Sequence, residues 1–400
     1  MAKYHVRLHK IASNSKAVIE NFAKSELSEC YSKTEPSCIV LGLTWDLEAE
    51  EISFPISIPK RPFTPRGVLA INHSVFDALG YLCPVLLKGR LIQRKLFESR
   101  ENKPKGVAVN WDEVLPLEYR AEWDSWVKSL EELKSVKIPR SYYSSDIGTI
   151  KRRELFTFSD ASLDAIGYVI YLRCVGTNGI NVSMVAGGAK LAPRGETSIP
   201  RLELSAALEA SLATQQVALE LKVGQNSIYY FTDSNIVRSY LLNREKRFVR
   251  YVSRRVELIS NVTNNSPWHY IKSDDNPADI ASRPQTVSSL LDSCWFEGPP
   301  FLKEVIVRFE PMTTLPYENL PEIVSDPVVV LKTVSDFGAG KCLFENNIGR
   351  VGKFSRAVGF ACRILGMLNW MDRVKQRLGI YLAPRPPEMK CSMIMALRCL

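Results

Sequence analysis

Long apolar runs are missing from this chain of 400 residues. Runs such as Val85-Leu86-Leu87 and Ile364 to Leu368 fall far short of the roughly 18 consecutive apolar residues of a membrane span. No transmembrane helix is expected. The N-terminus, Met1-Ala-Lys-Tyr-His-Val-Arg-Leu-His-Lys, has charge but no apolar stretch followed by a small-residue cleavage site, so the sequence predicts no secretory signal and a reducing compartment. Histidine is scarce, with only His5, His9, His73 and His269. The nine cysteines, at 30, 38, 83, 174, 294, 342, 362, 391 and 399, form no C-x-x-C pair. That pattern argues against a disulfide framework and a structural zinc module, and leaves the cysteines as buried or free thiols. Any metal has to sit on oxygen. Internal repeats and low-complexity tracts are absent too.

What is present suits a folded chain of two or three domains, since 46% apolar and 24% charged side chains can bury a sizeable core. Lys and Arg number 52 against 43 Asp and Glu, a net charge of +9 with a pI near 9.0. That balance suits a polyanionic partner without requiring one.

Residues 38–58 read as two β-prone runs around an acidic turn near Asp46 to Glu50, a hairpin. After the proline-rich stretch 59–65, Thr64-Pro65 can cap a helix carrying Val68, Leu69, Ile71, Val75, Phe76 and Leu79 to a stop at Gly80. Further helices are predicted after Pro84 and over 116–136. The periodicity lapses between Ile138 and Arg153, which predicts a linker and a domain boundary near 145–153. Strands at 155–159, 165–172 and 182–190 then form a meander, followed by a long helix over 200–221 and a strand at 227–232 that the crossover makes parallel. Helices near 235–242 and 248–262, a short strand at 268–271 and a last helix from Pro277 complete a mixed-sheet α/β pattern. Beyond Pro284 the text is punctuated by Pro299, Pro300, Pro311, Pro316, Pro321 and Pro327, and reads as a linker to an incomplete helical segment near 355–368.

Four acidic residues fall where this pattern brings distant segments together. Asp160 ends the strand Phe156-Thr-Phe-Ser-Asp and Asp233 follows Ile228-Tyr-Tyr-Phe-Thr, both at C-terminal strand edges, where α/β sheets place ligand sites. Glu203 lies early in the long helix with apolar neighbours on both sides, and Asp279 lies in the last helix. Carboxylates crowded at a dry edge repel one another and resist ionisation. Mg²⁺, a hard cation that seeks oxygen, offsets both costs. Two such ions, about 3.5–4 Å apart in known sites, activate a water and stabilise the leaving oxygen of a phosphodiester. Taken singly each residue has a plainer reading: Asp160 and Asp233 as turn formers or N-caps, Asp279 as decoration of a first helical turn. The four in this element order are far more specific than any one.

The set Phe158-Ser-Asp160-Ala-Ser, Ile199-Pro-Arg-Leu-Glu203-Leu-Ser-Ala-Ala, Phe231-Thr-Asp233-Ser and Asn276-Pro-Ala-Asp279-Ile-Ala-Ser-Arg resembles the ribonuclease H domain of BEL/Pao-type retrotransposon polyproteins, over about residues 153–284. Val40-Leu-Gly-Leu-Thr-Trp-Asp and Phe76-Asp-Ala-Leu-Gly-Tyr-Leu-Cys-Pro-Val are similar to the stretch between polymerase palm and ribonuclease H, and Ser293-Cys-Trp-Phe-Glu-Gly-Pro to the tether towards integrase. The resemblance implies an α/β, ribonuclease H-like mixed five-stranded sheet flanked by helices, preceded by a smaller hairpin-plus-helices region. It implies three parts: 1–150, a post-palm thumb or connection-like region; 151–285, the nuclease; 286–400, a linker and partial helical segment towards a missing integrase. The implied activity cuts the RNA strand of an RNA–DNA hybrid during reverse transcription. Asp160, Glu203, Asp233 and Asp279 would be the catalytic metal ligands, holding two Mg²⁺ ions with Mn²⁺ as a substitute. The implied location is intracellular, in the cytoplasm within a virus-like particle or in the nucleus.

Against that family, the chain lacks a Tyr-x-Asp-Asp polymerase motif, an Asp-Ser/Thr-Gly protease triplet and the two-His, two-Cys integrase module. It reads as an internal fragment, expected to work beside the upstream polymerase and downstream integrase parts of one polyprotein. Many ribonucleases H carry a histidine on the loop before the last aspartate. Here Lys272-Ser-Asp-Asp-Asn-Pro-Ala-Asp279 has none, so turnover is slower, or Asp274 or Asp275 helps hold a metal.

Between 238 and 255 stand Arg238, Arg244, Lys246, Arg247, Arg250, Arg254 and Arg255 against Glu245 alone. Such a face is either simply solvated or a phosphate contact. Interleaved Phe248 and Tyr251 favour contact with a hybrid through Arg238, Arg247, Arg250, Arg254 and Arg255, read by shape rather than base sequence. The alternative function is a non-catalytic nucleic-acid-binding relic of the same polyprotein. Integrase-type catalysis would place a Glu where Asp279 stands.

Overall fold

The computed structural model describes residues 11–22, 27–28, 37–101, 110–195, 197–243, 246–264, 266–309 and 315–324. A single turn, α1 (Lys16–Ile19), is followed by β1 (Ser37–Val40), β2 (Leu43–Asp46), β3 (Glu51–Ser53), α2 (Pro65–Asn72), α3 (Cys83–Glu101), α4 (Arg120–Ser129) and β4 (Lys137–Pro139). The one hairpin expected over 38–58 is two. Leu41 and Gly42 take φ of 50° and 85°, the left-handed pair that a two-residue hairpin turn demands. Leucine gives no turn signal there, so the sequence reads straight through. Ile138-Pro139, expected as linker, pairs with Ile52 and Glu51 as the edge of a four-stranded antiparallel sheet ordered β1-β2-β3-β4. An edge tolerates the missing N–H of proline. Thr64 caps α2 by accepting from Gly67 N–H at 3.2 Å. The helix stops at Asn72 rather than Gly80, because Asp77 folds the next segment back and accepts from Leu82 N–H at 2.9 Å.

The second sheet follows the expected α/β pattern closely: β5 (Ile150–Ala161), β6 (Ala165–Gly176), β7 (Ile180–Leu191), α5 (Ile199–Leu221), β8 (Ile228–Thr232), α6 (Asn235–Leu242), α7 (Arg250–Val262), β9 (Trp268–Tyr270), α8 (Ala278–Ser282) and α9 (Val287–Leu291). Its order is β7-β6-β5-β8-β9. The three long strands are an antiparallel meander, whereas β8 joins β5 and β9 joins β8 in parallel. It is a mixed five-stranded sheet with helices on both faces, preceded by the smaller antiparallel region.

Alternation along β5 explains the layers. Phe156 and Phe158 point into one core with Tyr171, Met184 and the earlier Val68, Leu82, Leu86 and Trp126. Leu155 points to the other face with Leu172, Leu204, Val217, Val252 and Val256. One core is thus shared by described residues between Leu43 and Ile138 and the five-stranded sheet. Both sheet faces are dry, which is why the central strands read as near-continuous apolar runs.

Residues 287–303 are not the spacer that their prolines suggest. Trp295 is fully buried, its Nε1–H donates to Tyr81 O at 2.8 Å, and Tyr171 Oη donates to its carbonyl at 2.8 Å. Buried Arg173 pairs with Glu154 at 2.5 Å and donates to the carbonyls of Leu302 and Glu304 at 2.7 and 2.5 Å. Proline interrupts helices, not packing. The expected helix near 355–368 and the 389–400 tail lie outside the described residues. Cys83, Cys174 and Cys294 are free thiols, but Cys38 is disulfide-bonded, contrary to the thiol expectation for it. Among the described residues no helix is long and apolar enough to cross a membrane.

Candidate active site

Ser159 and Thr232 are register partners in the parallel β5–β8 pair. The next residue on each strand is therefore Asp160 and Asp233, side by side at the carboxyl edge with strands about 4.8 Å apart. Asp160 is 7% exposed. Glu203 comes from the first turns of α5. Ser234, which caps α6 by accepting from Val237 N–H, donates to Glu203 Oε2 at 2.6 Å.

Asp279 is delivered by α8, and two features seat that helix. Asn276 is buried, donates to Ser159 O at 3.2 Å and accepts from Ala278 N–H at 3.2 Å, so it fastens the helix start to the end of β5. Gly167, opposite Asp160 in the ladder, lets the helix backbone in: a Cβ there would stand 2.7 Å from Ala281 C and Ser282 N. Ser282 Oγ then donates to Asp160 Oδ2 at 2.5 Å. Asp279 is paired with Arg283 at 3.0 Å, and Ser273 donates to Asp233 Oδ2 at 2.5 Å. Asp274 and Asp275 are exposed on the adjoining loop, beside a cleft of about 400 Å³ that Asp279, Arg283 and Pro300 also line.

Asp160, Glu203 and Asp279 each feel the charge of Asp233. Burial pushes Asp160 up to about 6, with the charges of Asp233 and Asp279 pushing the same way against the Ser282 hydrogen bond. Burial pushes Glu203 up to about 7, and Asp233 and Asp160 add to it. Asp279 is raised by burial and by Asp233, against Arg283. The oxygen-only donor set suits a hard divalent cation. So does Asp233 Oδ1, a buried carboxylate oxygen with no hydrogen-bond partner, which is costly to leave unmet. As the side chains stand, turned to Ser282, Ser234, Ser273 and Arg283, no three His, Cys, Asp or Glu among the described residues form a closed ligand group.

The basic residues divide. Arg238 is 2% exposed, donates to Trp268 O at 3.2 Å and Asn235 Oδ1 at 3.0 Å, and lies over the Tyr270 ring. It fastens α6 to β9 and is withdrawn as a nucleic-acid contact, because a buried, hydrogen-bonded guanidinium cannot reach a phosphate. Arg255 is half-buried, stacked 3.5 Å from the Tyr251 ring centre and bonded to Ser205. Arg247, Arg250 and Arg254 are exposed, while Arg244 lies outside the described residues. His269 is stacked 4.1 Å from Phe309, and burial lowers it to about 4. It is a neutral core residue.

Sequence reasoning did not single out Gly167, Ser234, Ser273, Asn276 or Ser282. Ser234 carried a signal, a serine directly before a helical run. Asn276 and Ser282 lie within the quoted motif around Asp279, but their contacts, like those of Gly167 and Ser273, reach across the fold.

Residues 64–234 match a family model described as Pao retrotransposon-like RNaseH-like domain. The match holds Asp160, Glu203 and Asp233 and stops before Asp279. No curated protein matches the chain. Solved structures similar to it include the N-terminal RNase H domain of Rv2228c from Mycobacterium tuberculosis, fused to maltose-binding protein (11% identity, 33% of this chain and 94% of that one, TM-score 0.24). RNase H1 of the halophilic archaeon Halobacterium salinarum NRC-1 gives 16% identity, 36% and 98% coverage and a TM-score of 0.22. A foamy viral protease-reverse transcriptase in complex with dsDNA gives 14%, 62% and 46%, and 0.17. At such scores none of the three bears on activity.

Proposed function

We propose that this chain, which carries a Pao retrotransposon-like RNaseH-like domain over residues 64–234, is a metal-dependent ribonuclease H that hydrolyses the RNA strand of RNA–DNA hybrids during reverse transcription. The observation that carries the reading is the placement of Asp160 and Asp233 at the ends of paired parallel strands, with Glu203 and Asp279 inside their electrostatic reach. These four residues would hold two Mg²⁺ ions, or Mn²⁺ in their place. Bound there, the ions supply an activated water and charge stabilisation for the leaving oxygen.

The chain's own share is positional. Ser282, Ser234 and Ser273 each hold one carboxylate oxygen, which fixes the rotamers; on Asp233 the second oxygen, Oδ1, has no hydrogen-bond partner and is left for a ligand. Arg283 restrains Asp279. Arg247, Arg250 and Arg254 offer an exposed cationic face for a charged backbone, and the polymerase and integrase parts of one polyprotein are the proposed partners. The second reading, a non-catalytic nucleic-acid-binding relic, has one observation on its side, the open arrangement of the carboxylates.

The test is cleavage of a labelled RNA–DNA hybrid by the whole chain in Mg²⁺, repeated with Asp233→Asn. Cleavage that disappears in the variant while its melting curve and hybrid affinity persist supports the nuclease. Hybrid binding with no cleavage by the parent chain supports the relic.

A further inference from the structure

Residues 315–324 lie against α6 and α7. Phe248 and Ile323 form an antiparallel bridge, Val249 N–H donates to Glu322 O at 2.9 Å, Val324 N–H donates to Arg247 O at 3.1 Å, and Tyr240 Oη donates to Pro321 O at 3.1 Å. This attachment carries Glu322 onto Arg201. The pairing is bidentate: Nε meets Oε1, and Nη2 meets Oε2 at 2.9 Å, with 35% of the Arg201 side chain and 15% of the Glu322 side chain exposed.

Arg201 stands two residues before Glu203. Its guanidinium lies 4.9 Å from the centre of the Tyr251 ring, which Arg255 covers at 3.5 Å, and the Tyr251 hydroxyl is tied to Ser205 at 2.9 Å. Arg250 and Arg254 are exposed on the same helix as Tyr251. A guanidinium beside a ring that offers two N–H groups to one carboxylate matches phosphate as well as carboxylate. The Glu322 carboxylate also sets a negative charge on Arg201, two residues before Glu203, where a polyanion has to approach.

We propose that Arg201 is a phosphate-binding site for the backbone of the nucleic-acid substrate and that Glu322 is its internal stand-in, so that residues 317–324 form a strap that lifts before substrate seats beside Glu203. This rests on the nuclease reading above. Removing Glu322 frees the site and one charge repulsion; removing Arg201 removes the site itself.

The test measures hybrid affinity against KCl concentration for the whole chain, with Asp233→Asn in every variant to block cleavage. Glu322→Gln is expected to tighten binding roughly three- to fivefold at low salt, the scale of releasing one part-exposed pair, and to steepen the slope of log K against log salt by about 0.9. Adding Arg201→Ala should abolish both gains. Unchanged or weaker binding by Glu322→Gln, with the parent slope, overturns the strap, and a lower melting temperature alongside it marks Glu322 as a purely structural anchor. If the Asp233→Asn parent and every variant fail to bind hybrid at all, the nuclease reading falls and the strap falls with it.

Discussion

Gly167 lies opposite Asp160 in the β5–β6 ladder, and the space above its Cα is filled by the Ala281–Ser282 backbone. The approach of α8 to the carboxylate edge is therefore set by a residue with no chemistry of its own. Gly167→Ala is expected to cost about 1–3 kcal/mol by overpacking and to lower cleavage more than the loss of folded protein explains, since Ser282 and Asp279 move together. Chemical denaturation and hybrid cleavage on the same preparation check this. Full activity with an unshifted midpoint would show that α8 is free to adjust.

Asn276→Ala removes the bond to Ser159 O and the cap on Ala278 N–H. Leaving buried partners unmet costs about 1–3 kcal/mol. The expected signature is a lower melting temperature together with weaker divalent-ion stabilisation, read by thermal melts with and without Mg²⁺.

The folded chain holds protons on Asp160 and Glu203 up to about 6 and about 7, against ordinary values of 3.8 and 4.5. The native state binds more protons, so this contribution to stability is full below about pH 4 and is lost as pH rises through 6 to 7. With divalent ions chelated, Glu203→Gln should stabilise by about 2 kcal/mol at pH 8 and far less at pH 5. Equal effects at both pH values would show that the carboxyl is not desolvated as described.

Arg238 and the Arg250–Arg254 pair should respond in opposite ways. Arg238→Ala leaves buried partners and is expected to destabilise by about 2 kcal/mol or more. Arg250→Ala with Arg254→Ala should leave the unfolding free energy within about 1 kcal/mol of the parent, weaken hybrid binding and flatten its salt dependence by up to about two units. An unchanged salt slope in the double variant would remove α7 from the substrate face.

Trp295→Ala is expected to cost about 3–5 kcal/mol, the usual loss for a buried tryptophan. Urea unfolding measures it. A loss below about 1 kcal/mol would return residues 287–303 to the status of a loose spacer.

The five-stranded part was legible because its elements are long and its central strands dry on both faces. Phe156 to Asp160 and Ile228 to Asp233 each read as an apolar run closed by a carboxylate, and that pattern needs no tertiary information. The parts that escaped depend on partners far along the chain. Leu41 adopts a turn conformation that only its neighbours impose, Pro139 becomes a strand because an edge is available, and Trp295 finds Tyr81 across 214 positions. Arg238 shows the limit of charge counting. It stands in a basic run, yet burial and two hydrogen bonds remove it from the surface, and no local feature separates it from Arg250.

The guanidinium of Arg173, seated among the carbonyls of Leu302 and Glu304 and the carboxylate of Glu154, has a bearing on where the gene can be cut. An excised five-stranded domain ending at residue 285 would leave that buried cation with Glu154 but without the carbonyls beyond 300, and would open a hollow where Trp295 stood. A minimal soluble unit has to retain the prolines that follow, and recombination that reshuffles such elements is better tolerated past position 305 than at the point where the carboxylates end.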